Sequence, residues 1–266
     1  MVLKRVILFV PRCISLAREV IMFLPRIFVG SRRYTMPRDF CRSKILSRKD
    51  TASPPRTSGF DAIHSLLEQY RKLYMNVIDS VAPRGSIAIC SPNKGDGRST
   101  IAANLAVVMA LDMKRKITIV DLDVRNHALP DLLGAECGRG ICDIGPEESA
   151  VDFLVPTRTP GLTLLPAGTI PDNPIRFFNS GIIEKAILDL EEQGHFVIVD
   201  TPPAIRFVDT KIIAGDTGGV LTVIKLGITK RFQMASYYRK MEGSRFSGVV
   251  CNYDEYWIPA WMYKFV

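Results

Sequence analysis

Long uninterrupted apolar runs are missing from this 266-residue chain, so nothing in it reaches the ~20 consecutive apolar residues that a membrane-spanning helix needs. Metal-binding cysteine spacing is missing too. The six cysteines (Cys13, Cys41, Cys90, Cys137, Cys142 and Cys251) stand singly, and the one close pair, Cys137 and Cys142, has no second pair of ligands near it. That argues against a zinc site and for reduced cytosolic thiols, with Cys90 and Cys251 inside apolar runs as small core residues. Acids are scarce at the start of the chain. Residues 1–60 hold thirteen Lys or Arg against Glu19, Asp39 and Asp50, a net +10. The whole chain is +8, so everything after residue 60 sums to −2. The basicity therefore belongs to an extension and not to the globular part. The extension also lacks the interleaved stacking aromatics of a nucleic-acid surface, and no nucleic-acid partner is expected.

What the extension does have is amphipathic patterning. In "VLKRVILFVPRCISLAREVIMFLPRIFV" the residues Lys4, Arg5, Arg12, Arg18, Glu19 and Arg26 fall on one side of a helical wheel. Val6, Ile7, Phe9, Ile14, Val20, Ile21, Leu24 and Phe28 fall on the other, and Pro11 and Pro25 divide the segment into short pieces. This profile suits helices lying on a membrane surface, with residues 1–30 turned toward anionic head groups. Packing on the domain or a partner, and an Arg-rich targeting peptide, stay open beside it. From Ser31 to Ser58 the chain is polar, basic and broken by Pro37, Pro54 and Pro55, which reads as a linker. The chain thus divides into a basic extension and linker over 1–57 and a globular domain over 58–266, with 47% hydrophobic residues overall, enough for a core.

Within the domain, "FDAIHSLLEQYRKLYMNVIDSV" has helical spacing, and six short apolar runs follow it: "SIAIC" 86–90, "ITIVD" 117–121, "LTLLP" 162–166, "FVIVD" 196–200, "GVLTVIK" 219–225 and "SGVVCN" 247–252. Runs rich in Ile and Val that recur between helices predict an α/β fold with a mostly parallel sheet buried on both faces. Ligands of such sheets sit at the carboxyl ends of the strands.

Three polar signatures fall at those ends. The first is "SPNKGDGRST", residues 91–100, between a strand and the helical "IAANLAVVMALDM". Gly95 and Gly97 let the backbone curl so that successive N–H groups face phosphate oxygens at a helix N-terminus, and Ser99 is placed as the hydroxyl for Mg²⁺. Against the strict pattern G-x-x-x-x-G-K-[ST], Pro92 replaces the first glycine and Arg98 replaces the lysine; a Gly-rich turn capping a helix is the plainer alternative. The second is "ITIVDLDVR", where Asp121 and Asp123 stand at alternate positions as candidate metal and water-positioning groups, or as a cap for the next helix. The third is "FVIVDTPPA", which delivers Asp200 to the sheet's edge as a candidate holder of the metal's water shell before Pro202-Pro203 forces an extended exit.

Residues from about Phe60 to Asn252 resemble the bacterial tyrosine autokinases of capsule and exopolysaccharide synthesis, a branch of the ParA/MinD-like ATPases with deviant Walker motifs. "EQYRKLYMNV" at 68–77 is similar to the family's ring-assembly helix, "SPNKGDGRSTIAANLA" to its phosphate loop, and "ITIVDLDVRNHALPDLLG" to its second Walker-type element. "LTLLPAGTIPDNP", "FVIVDTPPA" and "SGVVCN" have counterparts there as well. The resemblance implies a P-loop NTPase fold with ATP and Mg²⁺ as cofactors, held by the loop residues Lys94, Gly95, Asp96, Gly97, Arg98, Ser99 and Thr100. It further implies that Asp121 positions the nucleophile, that Asp123 and Asp200 with Ser99 hold the metal, and that Asn252 contacts the adenine base. The implied partner is a membrane chain-length or copolymerase protein of polysaccharide export. Homo-oligomers and a place at the inner face of the cytoplasmic membrane go with it.

The chain departs from that pattern at four points. Arg98 stands where the family has its catalytic lysine, and its planar fork is longer and wider than an ammonium. Lys94 stands where the family has proline and offers a second cation in the loop. Tyr74 replaces the assembly helix's second arginine. The family's tyrosine-dense tail is represented only by Tyr253, Tyr256 and Tyr263. Two expectations follow, a kinase-like ATP-binding regulator or a catalytically silent scaffold of the same fold, with a ParA/MinD-like positioning ATPase as a third.

Overall fold

The computed structural model describes residues 59–126 and 128–252. The basic extension, the linker and the aromatic tail with its three tyrosines lie outside the described residues.

Helix α1 (Gly59–Val81) leads into β1 (Ser86–Cys90), α2 (Arg98–Asp112) and β2 (Ile117–Asp121). After α3 (Leu129–Leu133) come two 3₁₀ turns at Ile141–Asp143 and Ala150–Phe153, then β3 (Val155–Pro156) and β4 (Leu162–Leu165). The chain continues through α4 (Pro174–Phe178), α5 (Ile182–Glu192), β5 (Phe196–Asp200), α6 (Asp209–Asp216), β6 (Val220–Lys225), α7 (Arg231–Lys240) and β7 (Phe246–Asn252).

The seven strands form one sheet in the order β3-β4-β2-β5-β1-β6-β7. Every pairing is parallel except β3 with β4, where Val155 and Pro156 add a short antiparallel edge that no periodicity in the sequence announces. The three central strands β1, β2 and β5 are buried at all five positions, as Ile/Val runs covered on both faces must be. α2 fills one of those faces. Its Ala-rich stretch from Ile101 to Met109 is buried throughout, because small side chains let the helix lie close on the sheet. α1 covers α2 in turn with Tyr70, Leu73, Val77 and Val81, and the Tyr70 hydroxyl accepts a hydrogen bond from Asn104 at 3.1 Å. Arg71 of the same helix donates to both carboxylate oxygens of Asp112 on α2, at 2.6 and 3.0 Å, and to Glu68 at 2.7 Å. Glu68 and Arg71 of the family-like helix are thus joined within the chain. Cys90 and Cys251 are buried, as their apolar surroundings predict. Among the described residues no helix is long and apolar enough to cross a membrane.

The "LLPAG" stretch after β4 is fastened to the first 3₁₀ turn. The Ile141 and Cys142 amides donate to the Pro166 and Ala167 carbonyls, and the Asp143 carboxylate accepts from the Gly140 and Thr169 amides. A side chain at Gly140 would collide with the Pro166 carbonyl and the Gly168 amide, both rigid backbone. Gly140→Ala is therefore expected to destabilise the fold by about 1–3 kcal/mol, the usual cost of overpacking, measured as a lowered urea midpoint at unchanged slope.

Candidate functional site

Parallel pairing places the ends of the central strands side by side. Asp121 at the end of β2 lies in direct register with Asp200 at the end of β5, and the Leu122 amide donates to the Asp200 carbonyl at 3.0 Å. Partners in register on neighbouring strands are ~5 Å apart and point to the same face, so the two carboxylates are brought together by the sheet itself. Asp123 joins them two residues on. All three are almost completely buried, at 1%, 3% and 1% exposure for Asp121, Asp123 and Asp200.

The loop 91–97 curls over this acidic cluster. Gly95 and Gly97 both take positive φ, 86° and 98°, which a side chain would resist, and the space where a Gly95 Cβ would stand is empty. Arg98, Ser99 and Thr100, read from the sequence as loop, form the first turn of α2. The loop is stapled from behind by groups distant in sequence. The Asp96 carboxylate accepts from the Asn93 amide at 2.8 Å and from the Thr229 hydroxyl at 3.2 Å. The Asn252 amide donates to the Asp96 carbonyl at 2.9 Å, and Gln233 donates to the Asn93 side chain at 3.0 Å.

Arg98 is the one cation inside the acidic cluster among the described residues, and only 5% of it is exposed. Nε donates to the Thr201 carbonyl at 2.6 Å, Nη1 to the Ser91 hydroxyl at 2.8 Å and the Asn93 carbonyl at 3.3 Å, and Nη2 to Asp123 at 2.9 Å. Nε also lies 3.9 Å from an oxygen of Asp200, an electrostatic contact and not a hydrogen bond. The guanidinium is therefore turned inward, beneath the loop.

One cation does not neutralise three buried acids. Burial pushes Asp200 up to about 6, against relief from Arg98 and the Ser99 hydroxyl. Asp123 is raised by burial and relieved by the same guanidinium, with a smaller contribution from Lys94. Asp121 is pushed well above the usual carboxylate range, first by burial and then by the charges of Asp200 and Asp123. Neither of its oxygens has a partner in good hydrogen-bond geometry, and the nearby Asp123 amide gives only slight relief.

Beside the loop a cleft of about 380 Å³ is lined by Lys94, Gly95, Gly97, Arg98, Ser99, Thr100 and Asn126, together with Ala128, Asp131 and Leu132. The structure thus gathers the candidate site residues around one loop: Lys94, Gly95, Gly97, Arg98, Ser99 and Thr100 along the cleft, Asp96 turned back onto Asn93 and Thr229, Asp121, Asp123 and Asp200 beneath, and Asn252 behind. Sequence reasoning missed Ser91, Thr201, Thr229 and Gln233, because hydroxyls and amides that shape a loop carry no pattern of their own. Arg125, two residues after Asp123, forms an ion pair with the buried Asp209 at 3.0 Å and stacks 4.2 Å over Phe207.

Comparison with known proteins agrees with this geometry. The family model described as "ParA: NUBPL iron-transfer P-loop NTPase" matches residues 83–215; the iron transfer in that description is a property of the protein that names it. Tyrosine-protein kinase YwqD of Bacillus subtilis is 31% identical over 171 residues, which cover 63% of this chain and 72% of that one. The chain belongs to the bacterial tyrosine autokinase family, a branch of the ParA-type P-loop NTPases. Tyrosine-protein kinase CpsD of Streptococcus agalactiae is 28% identical over 195 residues, covering 70% of this chain and 81% of its own. Among solved structures, the kinase domain of Escherichia coli tyrosine kinase ETK superposes with a TM-score of 0.72 at 17% identity, over 92% of this chain and 96% of that one. At that identity the likeness speaks for the autokinase fold alone.

The cofactors implied by this family are ATP and Mg²⁺, and the residues present fit them. Buried carboxylate oxygens without partners, a hydroxyl at the first turn of a helix and a glycine cradle with open space are the donors a hydrated cation and a phosphate chain require. Asp121→Asn removes one of three crowded charges. A raised carboxyl holds its proton more tightly in the folded protein, so its ionisation costs nothing below the ordinary carboxylate range and costs stability increasingly as pH rises above it. Without nucleotide, Asp121→Asn should therefore unfold at higher urea than the parent at pH 8 and show a smaller gain at pH 5. An equal or reversed difference contradicts the charge crowding.

Proposed function

We propose that this protein binds ATP with Mg²⁺ at the loop and serves as a tyrosine-kinase-like regulator of polysaccharide polymerisation or export at the cytoplasmic membrane. The observation that supports this reading best is the meeting of Asp121, Asp123 and Asp200 beneath a glycine loop with Ser99 beside them. Bound ATP·Mg²⁺ would supply the phosphoryl group and neutralise the charge that develops as it moves.

The chain's own residues have distinct tasks in that reading. The N–H groups at the start of α2 and the glycine curl hold phosphate oxygens. Ser99 ligates the metal, and Asp123 and Asp200 orient its water shell. Asp121, unpartnered and with a proton affinity raised by burial, takes the proton from an incoming tyrosine hydroxyl, a role suited to a carboxyl more basic than an ordinary one. Asn252, already fixed to the loop through Asp96, faces the base. The partner proposed for the domain is a membrane copolymerase or chain-length protein, and residues 1–30 add membrane-surface affinity. Self-association into oligomers is part of the same proposal.

One observation favours a catalytically silent scaffold as the second reading. Arg98 is committed to Thr201, Ser91, Asn93 and Asp123, and a guanidinium so engaged is not free to follow a moving phosphoryl group as a loop lysine would. A misplacement of about 1 Å in such a group costs on the order of a hundredfold in rate. Incubation of the full chain with γ-labelled ATP and Mg²⁺ distinguishes the readings. Label on protein tyrosine that disappears in Asp121→Ala and Asp200→Ala supports the kinase. Retained nucleotide binding without label, with normal polysaccharide output from both variants in cells, supports the scaffold.

A further inference from the structure

The loop holds two cations that both border the cleft, one buried and engaged, the other exposed. Arg98 uses four of its five N–H groups on protein acceptors, three of them on the uncharged Thr201, Ser91 and Asn93. Those partners join the loop to the end of β5, and the fourth bond, to Asp123, joins it to the end of β2. A guanidinium so occupied has one N–H left and cannot grip a phosphate with both prongs. Lys94 is the reverse case. It is exposed, lines the cleft beside Gly95, and makes no hydrogen bond or ion pair among the described residues. Its neighbour Gly95 borders open space, since a Cβ there would meet nothing within 4 Å.

We propose that these two residues divide what a single loop lysine does elsewhere: Lys94 is the cation that contacts the nucleotide's phosphates, and Arg98 is a positioning residue that remains inside as counter-ion to Asp123 and Asp200. The inference rests on the nucleotide-binding reading above and refines it. A lysine is suited to the outer place because its compact ammonium turns freely toward a phosphate chain, whereas the rigid fork of arginine is suited to tying several fixed acceptors together. Arg98 sets the shape of the loop, and with it the direction of the N–H groups at the start of α2. Replacing it with lysine would keep the charge and lose most of the ties.

Calorimetric titration of the full chain with ADP and Mg²⁺, paired with thermal unfolding without nucleotide, tests the division. Lys94→Ala should weaken ADP binding tenfold or more and leave the unfolding temperature unchanged. Arg98→Lys should lower the unfolding temperature by several degrees, and any weakening of ADP binding that accompanies the loosened loop should be smaller than that of Lys94→Ala. Lys94→Gln should behave as Lys94→Ala, which shows that charge and not bulk matters. Wild-type affinity in Lys94→Ala overturns the proposal. So does a tenfold loss in Arg98→Lys with an unchanged unfolding temperature, because the arginine would then be the phosphate ligand. Failure of the wild-type chain to bind ADP overturns the nucleotide reading and the division with it, and differs from the other outcomes in that every titration is flat.

Discussion

The arrangement depends on a single guanidinium among three buried carboxylates. Without Arg98, the ends of β2 and β5 would present Asp121, Asp123 and Asp200 to one another while buried, with only weaker relief from Ser99, Arg125 and Lys94, and removal of one partner from a buried ion pair commonly costs about 3–5 kcal/mol. With it, the loop, the strand ends and the first turn of α2 become one unit. Even so the site is left short of positive charge, and the unmatched oxygens of Asp121 and Asp200 are the measure of that shortage. A site strained in this way gains most when a metal-bearing polyanion arrives, since the cation offsets the acids and the helix N-terminus meets the phosphates. In the proposed function, the same imbalance that weakens the fold locally is what favours the nucleotide.

The sheet does the placing. Parallel register puts Asp121 opposite Asp200 with no help from side chains, and complete burial of β1, β2 and β5 makes that register costly to shift, because a one-residue slip would turn the carboxylates to the other face. α2 begins where β1's loop ends, and its small buried residues hold its N-terminus over the strand ends. Fold and site are therefore the same construction seen at two scales.

How much of this was readable in advance follows from which signals are local. The central strands announce themselves as short Ile/Val runs, and the three acids are found because each ends such a run. The glycine curl is legible because few other residues take φ near +90°. The direction of Arg98 was not legible. As a phosphate-loop residue it reads as a fork waiting for phosphate, and only the positions of Ser91, Thr201 and Asp123 in space show that its bonds are already made. Nor was the role of Asp96, which reads as one more nucleotide-holding loop residue until Thr229 and Asn252 arrive from over a hundred residues away to fix its carboxylate and carbonyl. The two-residue strand β3 and the 3₁₀ turns are too short for any period to show. Long-range hydrogen bonds to backbone leave no trace in a single sequence, and the hidden part of this site is made of them.

The central claim is that the ends of three separate segments close around a triphosphate and its metal with the arginine held beneath. A crystal structure with a non-hydrolysable ATP analogue and Mg²⁺ tests it most directly. The account predicts phosphates over the first turn of α2, Ser99 on the metal, Lys94 on the phosphate chain, and Arg98 still bonded to Thr201 and Asp123. Density for the analogue elsewhere on the domain, or Arg98 swung out of the cluster to grip the phosphates while Lys94 stays in solvent, would contradict it.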